Sequence, residues 1–295
     1  MDLETEILKH KKSISFTRPE IPLERYDKLA LSLWWLGQAG FYLKYGNYSI
    51  LIDAYLSDSL AQKYAGKEFP HLRMMPPPVN IEQFRNLDFV FCTHGHSDHM
   101  DPGSLPQLAE NNPLCKFIVP KSEIKTAVER GVAENKIIGV NAGESLILRD
   151  DLKLDILSSS HEELKMNELG EYYYLGYVIS LGQFTLYHSG DCIPYDGLSE
   201  KLKKINIDAA LLPVNGRDNY RKERGIPGNF TFKEAALLCY ECNIPNLIVH
   251  HFGMFSFNTV YEETLIQRKK KFSNEKLNII IPETGYHYEI RKRLS

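Results

Sequence analysis

His94-Gly95-His96-Ser97-Asp98-His99 puts four metal-capable side chains within six positions. The segment directly follows Phe89-Val-Phe-Cys-Thr93, a short apolar run of buried-strand character. Imidazole nitrogen and carboxylate oxygen suit Zn²⁺, Mn²⁺ or Fe²⁺ rather than Ca²⁺, and the cluster holds no thiol that could close a structural zinc site. The H-x-H spacing lets two rings address one ion from a looping backbone, while Asp98 and His99 can face a second. Six positions cannot complete a site for two ions. Further donors are expected where later apolar strands give way to small or polar loops. His161 follows Leu154-Asp-Ile-Leu-Ser-Ser-Ser, Asp191 ends Tyr187-His-Ser-Gly-Asp, and His250-His251 follows Leu247-Ile-Val. Two cations a few ångströms apart can share a water and lower its pKa from about 15.7 toward about 7. They also polarise a carbonyl or phosphoryl oxygen, so hydrolysis needs no Ser or Cys nucleophile. Asp98 is the candidate catalytic group, orienting the attacking water or taking its proton.

These donors need elements to position them. Residues 31–56 read as strands, Leu31–Leu36, Phe41–Tyr45 and Tyr48–Asp53, with Gly46-Asn47 as a hairpin turn. Residues 57–87 read as helical and irregular, interrupted by Pro76 to Pro78. A strand over Lys116–Val119 precedes a helix over Ser122–Arg130 with Ser122 as its N-cap. Residues 145–158 and 172–188 form a strand-rich block, and Ala209–Val214 is a further strand. Thr231-x-x-Glu234 is a capping box that opens a helix running to Cys242. A strand at Leu247–His250, a helix near 260–271 and a strand at Leu277–Ile281 close the chain. Early strands followed by alternating strands and helices suggest two sheets with helices outside, an α+β class. No repeat or linker divides the chain, so residues 1–295 read as a single domain, with 1–30 as an N-terminal extension.

The order His94-x-His96-x-Asp98-His99, then His161, Asp191 and His251, resembles the metallo-β-lactamase superfamily over nearly the whole chain. More narrowly, Trp35-Leu-Gly-Gln-Ala-Gly40, Ile52-Asp-Ala-Tyr-Leu-Ser-Asp58, Met75-Pro-Pro-Pro78, Pro213-Val-Asn-Gly-Arg-Asp218 and His251-Phe-Gly-Met-Phe255 are similar to its L-ascorbate-6-phosphate lactonase branch. The resemblance implies an αββα four-layer sandwich, two mixed sheets flanked by helices, with metals at one edge between the sheets. By motif position it implies that His94, His96 and His161 hold one divalent ion and that Asp98, His99 and His251 hold the other, with Asp191 bridging. His251 fits the branch pattern better than His250, which stays as the alternative. Asp53 corresponds to an early aspartate of the family, an outer carboxylate suited to fixing a histidine tautomer. The implied cofactor is a pair of Zn or Mn ions, with Fe also compatible. The implied activity is lactonase hydrolysis of a phosphorylated sugar lactone such as L-ascorbate 6-phosphate. A phosphodiesterase or nuclease on the same fold, or a metal-binding module without activity, are the alternatives. His96 stands where diiron members carry a glutamate, which disfavours a redox reading.

The 295 residues carry 35 Lys+Arg against 38 Asp+Glu, a formal net charge of −3 that exerts no global pull on nucleic acid or anionic membrane. The expected partner is therefore a small anionic substrate, with homo-oligomerisation left open. No run approaches the roughly 20 apolar residues that span a bilayer, and the polar start, Met1 to Lys12, has no signal-peptide core. Five thinly spread cysteines read as reduced thiols, so a cytoplasmic location is expected. Cys239 and Cys242 read as core packing, and the role of Cys192 beside Asp191 is open. For substrate recognition, Asn215, Arg217, Tyr220 and Arg221, with Arg224 nearby, form a compact cationic stretch suited to phosphate. Against that stands a solvated basic loop balanced by Asp218 and Glu223.

Overall fold

A computed structural model describes residues 3–10 and 30–294. The strands are, in chain order, β1 (Leu3–His10), β2 (Ala30–Gly37), β3 (Gly40–Tyr45), β4 (Tyr48–Ile52), β5 (Phe89–Phe91), β6 (Lys116–Pro120), β7 (Ile137–Val140), β8 (Ser145–Arg149), β9 (Leu152–Ser158), β10 (Leu175–Leu181), β11 (Phe184–His188), β12 (Ala209–Pro213), β13 (Asn246–His250), β14 (Asn278–Ile280) and β15 (His287–Leu294). The helices are α1 (Ser59–Lys63), α2 (Leu105–Asn111), α3 (Ile124–Glu129), α4 (Leu198–Leu202), α5 (Asn219–Lys222), α6 (Phe232–Glu241) and α7 (Glu262–Phe272). They build an eight-stranded sheet in the order β1-β15-β2-β3-β4-β5-β6-β7 and a seven-stranded sheet in the order β14-β13-β12-β11-β10-β9-β8. Each sheet is mixed. In the first, β4, β5, β6 and β7 run parallel, and in the second β11, β12, β13 and β14 do.

The burial pattern explains the layering. β5, β12 and β13 are buried at every position, as parallel strands covered on both faces must be. β9 instead alternates, burying Leu152, Leu154 and Ile156 while Lys153 is exposed. Phe41, Phe91, Tyr177 and Leu211 belong to one large apolar cluster shared by the two sheets. A second cluster, with Phe84, Leu105, Leu108 and Phe117, seats α2 and α3 on the outside of the first sheet. The architecture is the expected α+β one, two mixed sheets flanked by helices.

Several local expectations are corrected. Ser122 does not cap a helix: Lys121–Glu123 is a 3₁₀ turn, α3 starts at Ile124, and the Ser122 hydroxyl donates to the Tyr172 carbonyl at 2.8 Å. In the hairpin between β3 and β4 only Gly46 takes a positive φ, +53°. The chain does not close at Ile281, because β15 follows and pairs antiparallel with both β1 and β2. Within the N-terminal extension, residues 3–10 are thus a strand of the first sheet, while 11–29 lie outside the described residues. Among the described residues, no helix is long and apolar enough to cross a membrane.

Candidate metal centre

The parallel strands β5, β11 and β13 all point their carboxyl ends at one edge of the sandwich, and the candidate donors sit in the loops just past those ends. β5 delivers His94, after which the chain turns tightly, with His99 N and Met100 N donating to the His96 carbonyl at 3.1 and 2.8 Å. A Cβ at Gly95 would come within 2.5 Å of the Glu123 carboxylate, so a side chain there would require the Glu123 side chain to swing aside. The loop after β11 reaches Asp191 through Gly190, whose φ of +60° and 2.8 Å approach to Thr93 exclude a side chain. The loop after β9 brings in His161, and the end of β13 brings in His251 with φ +61°.

The structure gathers all seven side chains named from the sequence. His94, His96 and His161 offer donor atoms within 4.8 Å of one another, and so do His94, His99 and Asp191, and Asp98, His99 and His251. Asp191 lies between the groups: Oδ2 is 3.1 Å from His251 Nε2 and 3.6 Å from His161 Nε2, and Oδ1 is 3.3 Å from His99 Nε2. His250 is not part of the cluster. It stacks on His188 at 4.9 Å and packs edge-on against Phe41, both buried. Cys192 is also outside, its thiol donating to the Ile193 carbonyl, and Cys239 and Cys242 are buried in the core.

Outer contacts set the imidazole tautomers. Asp53 is fully buried, with Oδ2 2.7 Å from His99 Nδ1, while it accepts from the Thr93 hydroxyl at 2.6 Å and from the Thr93 N–H at 2.8 Å. The Thr93 hydroxyl hydrogen goes to Asp53, so its oxygen accepts from His94 Nδ1 at 3.0 Å. His161 Nδ1 donates to the Gly228 carbonyl at 3.0 Å. Three rings therefore carry their proton on Nδ1 and turn a bare Nε2 inward. His94 Nε2 is buried without a hydrogen-bond partner among the described residues, and the buried His99 Nε2 and Asp191 Oδ1 face each other at 3.3 Å without a well-formed bond. Buried polar atoms left so are costly, and an N/O donor set of this kind fits a borderline divalent cation.

Among the protein's own groups, the electrostatics agree for His94 and His161 but favour the charged form of His99. Burial, helped by the neighbouring imidazoles of His99 and His96, holds the pKa of His94 well below its ordinary value, and burial brings His161 down to about 4. Burial also opposes charge on His99, but the carboxylates of Asp191, Asp53 and Asp98 outweigh it and hold its pKa well above the usual range. For Asp191, His251 and His99 outweigh burial and keep the carboxylate ionised.

His96, Asp98, His161, Asp191 and His251 open into a cavity of about 400 Å³. One wall is aromatic, where His71 stacks on Tyr64 at 4.1 Å and meets Phe255 and Phe257 edge-on. Cations line the cavity too: Lys63 and Lys67, whose Nζ atoms lie 5.3 and 4.9 Å from the Tyr64 ring centre on that same wall, Arg130, and Arg224, which pairs with Glu68 at 3.3 Å. Asp101 helps hold that wall in place by accepting from the Ser57 and Ser59 hydroxyls at 2.8 and 2.7 Å, which ties the start of α1 to the metal loop. Tyr174 stands beside His94, His96 and His161 with ring centroids 5.2 to 5.7 Å away.

The substrate residues named from the sequence are corrected here. None of Asn215, Arg217, Tyr220 or Arg221 lines the cavity. Arg217 forms a two-pronged pair with Glu234, both contacts 2.7 Å. Arg221 binds Asp218, the Asn215 carbonyl and Asn258, while Asn215 is buried and bonded to Asn229 and Asn258. Tyr220 is exposed and serves as a platform for Arg224, whose guanidinium lies 3.8 Å above the ring. Of that stretch only Arg224 reaches the cavity. The cations on and after α1 were missed because nothing in the local sequence of Lys63 and Lys67 marks them.

Comparison with known proteins agrees with this geometry. Residues 48–252 match the family model described as the beta-lactamase superfamily domain. A UPF0173 metal-dependent hydrolase of Saccharolobus solfataricus is 30% identical over 191 residues, 63% of this chain and 72% of that protein. A probable L-ascorbate-6-phosphate lactonase of Escherichia fergusonii is 24% identical over 274 residues, 82% of this chain and 75% of that protein. Among solved structures, an isothiocyanate hydrolase from Delia radicum gut bacteria superposes with a TM-score of 0.68 at 18% identity, over 86% of this chain and 97% of the other, which is a likeness of fold. The chain belongs to the beta-lactamase superfamily and is a metal-dependent hydrolase.

Proposed function

We propose that the protein hydrolyses a small anionic ester over two divalent ions, and that the substrate class is a phosphorylated sugar lactone. The observation that carries this reading is the juxtaposition, in one cavity of about 400 Å³, of the histidine–aspartate cluster with Lys63, Lys67 and Arg224. That size suits a sugar phosphate. The probable lactonase named above is a relative of the same kind. His94, His96 and His161 would hold one Zn²⁺ or Mn²⁺ ion, and Asp98, His99 and His251 the other, with Asp191 between them. When bound, such ions supply an acidified water and polarise the scissile carbonyl.

The chain's own groups do the rest. Asp98 faces the cavity and would orient the attacking water and receive its proton. Lys63, Lys67 and Arg224 would hold the phosphate, and the Tyr64, Phe255 and Phe257 wall would exclude bulk water from the ring. The partner is thus a small molecule rather than nucleic acid or membrane.

The experiment is a substrate panel on the metal-loaded protein: a phosphorylated lactone, its unphosphorylated counterpart, a phosphodiester and a β-lactam. Lys67→Ala and Arg224→Ala are expected to raise KM for the phosphorylated lactone by about 10- to 100-fold each, since a charge-assisted contact is lost, with little effect on the unphosphorylated one. Turnover of the phosphodiester alone would replace this reading with a phosphodiesterase, and no turnover of any substrate would favour a module without activity.

A further inference from the structure

Gln38 belongs to none of the donor groups, yet it reaches into one of them. It sits in the turn between β2 and β3, almost fully buried, with φ +51°. Its carbonyl accepts from the Trp35 indole N–H at 3.0 Å and from the His251 backbone N–H at 2.9 Å, so its main chain is fastened directly to that of His251. Its side-chain Nε2 lies 2.8 Å from Asp98 Oδ2 and 3.0 Å from His251 Nε2. An ionised carboxylate only accepts, which identifies the atom facing Asp98 as the amide NH₂. That group has two hydrogens, and His251 Nε2, which also lies 3.1 Å from Asp191 Oδ2, accepts the second when the ring proton is on Nδ1.

His251 Nε2 can accept it only through its single in-plane lone pair. The same lone pair is what a cation in the Asp98–His99–His251 group would need. It serves one or the other. Among the described residues no amide is hydrogen-bonded to the other group: His94 Nε2 has no hydrogen-bond partner there, and His161 Nε2 lies 3.6 Å from the Asp191 carboxylate.

We propose that Gln38 is a positioning residue that competes with the second cation for Asp98 and His251, so that the centre fills in two steps. This rests on the reading that Asp98, His99 and His251 hold a cation. The His94–His96–His161 position loads first and tightly. The second loads only as the Gln38 amide swings off His251 Nε2, and its affinity is lowered by the two hydrogen bonds given up. Until then the amide satisfies Asp98 and fixes the His251 ring, whose backbone is held by the Gln38 carbonyl in both states.

The test is a competition titration of the full-length protein with Zn²⁺ alone, reading both dissociation constants, in the wild type and in Gln38→Met, which keeps the bulk and removes the donor. The second dissociation constant is expected to fall by about 10- to 100-fold in the variant, with the first unchanged. A second constant that is unchanged or weaker in Gln38→Met overturns the proposal while leaving a two-ion centre intact. One equivalent bound by both proteins overturns the proposal together with the two-ion reading. Should Gln38→Met fail to fold, the wild type labelled with ¹⁵N-glutamine answers the same question. The Gln38 side-chain amide protons shift between the first and second equivalents of Zn²⁺, and a resonance unmoved by the second equivalent refutes the exchange.

Discussion

A single hydrogen bond decides how His99 presents itself, and it comes from a residue far away in the chain. Asp53 Oδ2 takes the Nδ1 proton of His99 at 2.7 Å, leaving Nε2 for the centre, and both Asp53 oxygens are further occupied by Thr93. Asp53→Asn keeps the size and tolerates the φ of +42° found there, but replaces one carboxylate oxygen with an amide NH₂. Loss of such an outer partner commonly costs 10- to 100-fold in metal affinity. Equilibrium metal titration of Asp53→Asn should show a loss of about that size, whereas unchanged affinity would mean that His99 needs no help with its tautomer. The cluster of candidate donors was legible in the sequence because six adjacent positions held four of them and three later strand ends held the rest. Telling His251 from His250 by chemistry was not possible from sequence, since both follow the same apolar strand. Only the left-handed turn at His251 sends its ring to the cluster and leaves His250 stacked on His188.

Elements were legible in proportion to how local their signals are. The Thr231–Glu234 capping box was read from four residues and is present, with Thr231 N donating to Glu234 Oε2 at 2.8 Å. β1 and β15 were missed because Leu3–His10 and His287–Leu294 are rich in charge and become strands through each other, pairing from Leu3 opposite Leu294 to His10 opposite His287. Arg217 was misassigned for the same reason: its partner Glu234 is 17 positions away, on α6. That pair carries a pH signature. Burial alone would raise the Glu234 pKa, but the Arg217 guanidinium and the Thr231 N–H and hydroxyl outweigh it and hold the carboxyl below its ordinary value. A folded pKa below the unfolded one, which is about 4.3, means that the stabilisation is fully present above that pH and is lost as pH falls through the folded value. Glu234→Gln can keep the capping box, in which Gln serves as well as Glu, and removes the charge together with one of the two acceptors of Arg217. Denaturant midpoints should therefore place the variant below the wild type at pH 7, with the gap narrowing toward pH 3. A gap independent of pH would show that the carboxylate charge contributes nothing.

At the scale of the whole molecule, the two sheets are tied together at both ends of the sandwich. At the carboxyl ends of the parallel strands, the donors come from both layers: His94, His96, Asp98 and His99 follow β5 of the first sheet, and His161, Asp191 and His251 follow β9, β11 and β13 of the second. A cation held among them is a cross-link between layers. At the opposite end, Asp208 immediately precedes β12 and is nearly fully buried. It accepts from Thr5 of β1 at 2.7 Å and from the Thr185 N–H of β11 at 2.8 Å, and it pairs with Lys292 of β15. Five residues of β12 separate the two ties, about 16 Å at roughly 3.3 Å per residue. Contributions from sites this far apart, with no shared partner, normally add. Asp208→Ala should therefore cost about 3 to 5 kcal/mol, because Lys292 is left without its partner. Zn²⁺ at 100 times its dissociation constant should add about 2.7 kcal/mol per site to the wild type and to the variant alike. Chemical denaturation of both proteins, chelated and Zn²⁺-saturated, measures all four stabilities. If the Zn²⁺ increment shrinks in Asp208→Ala, the far tie also sets the geometry of the donors. The two layers then behave as one rigid frame rather than as two sheets pinned independently at each end.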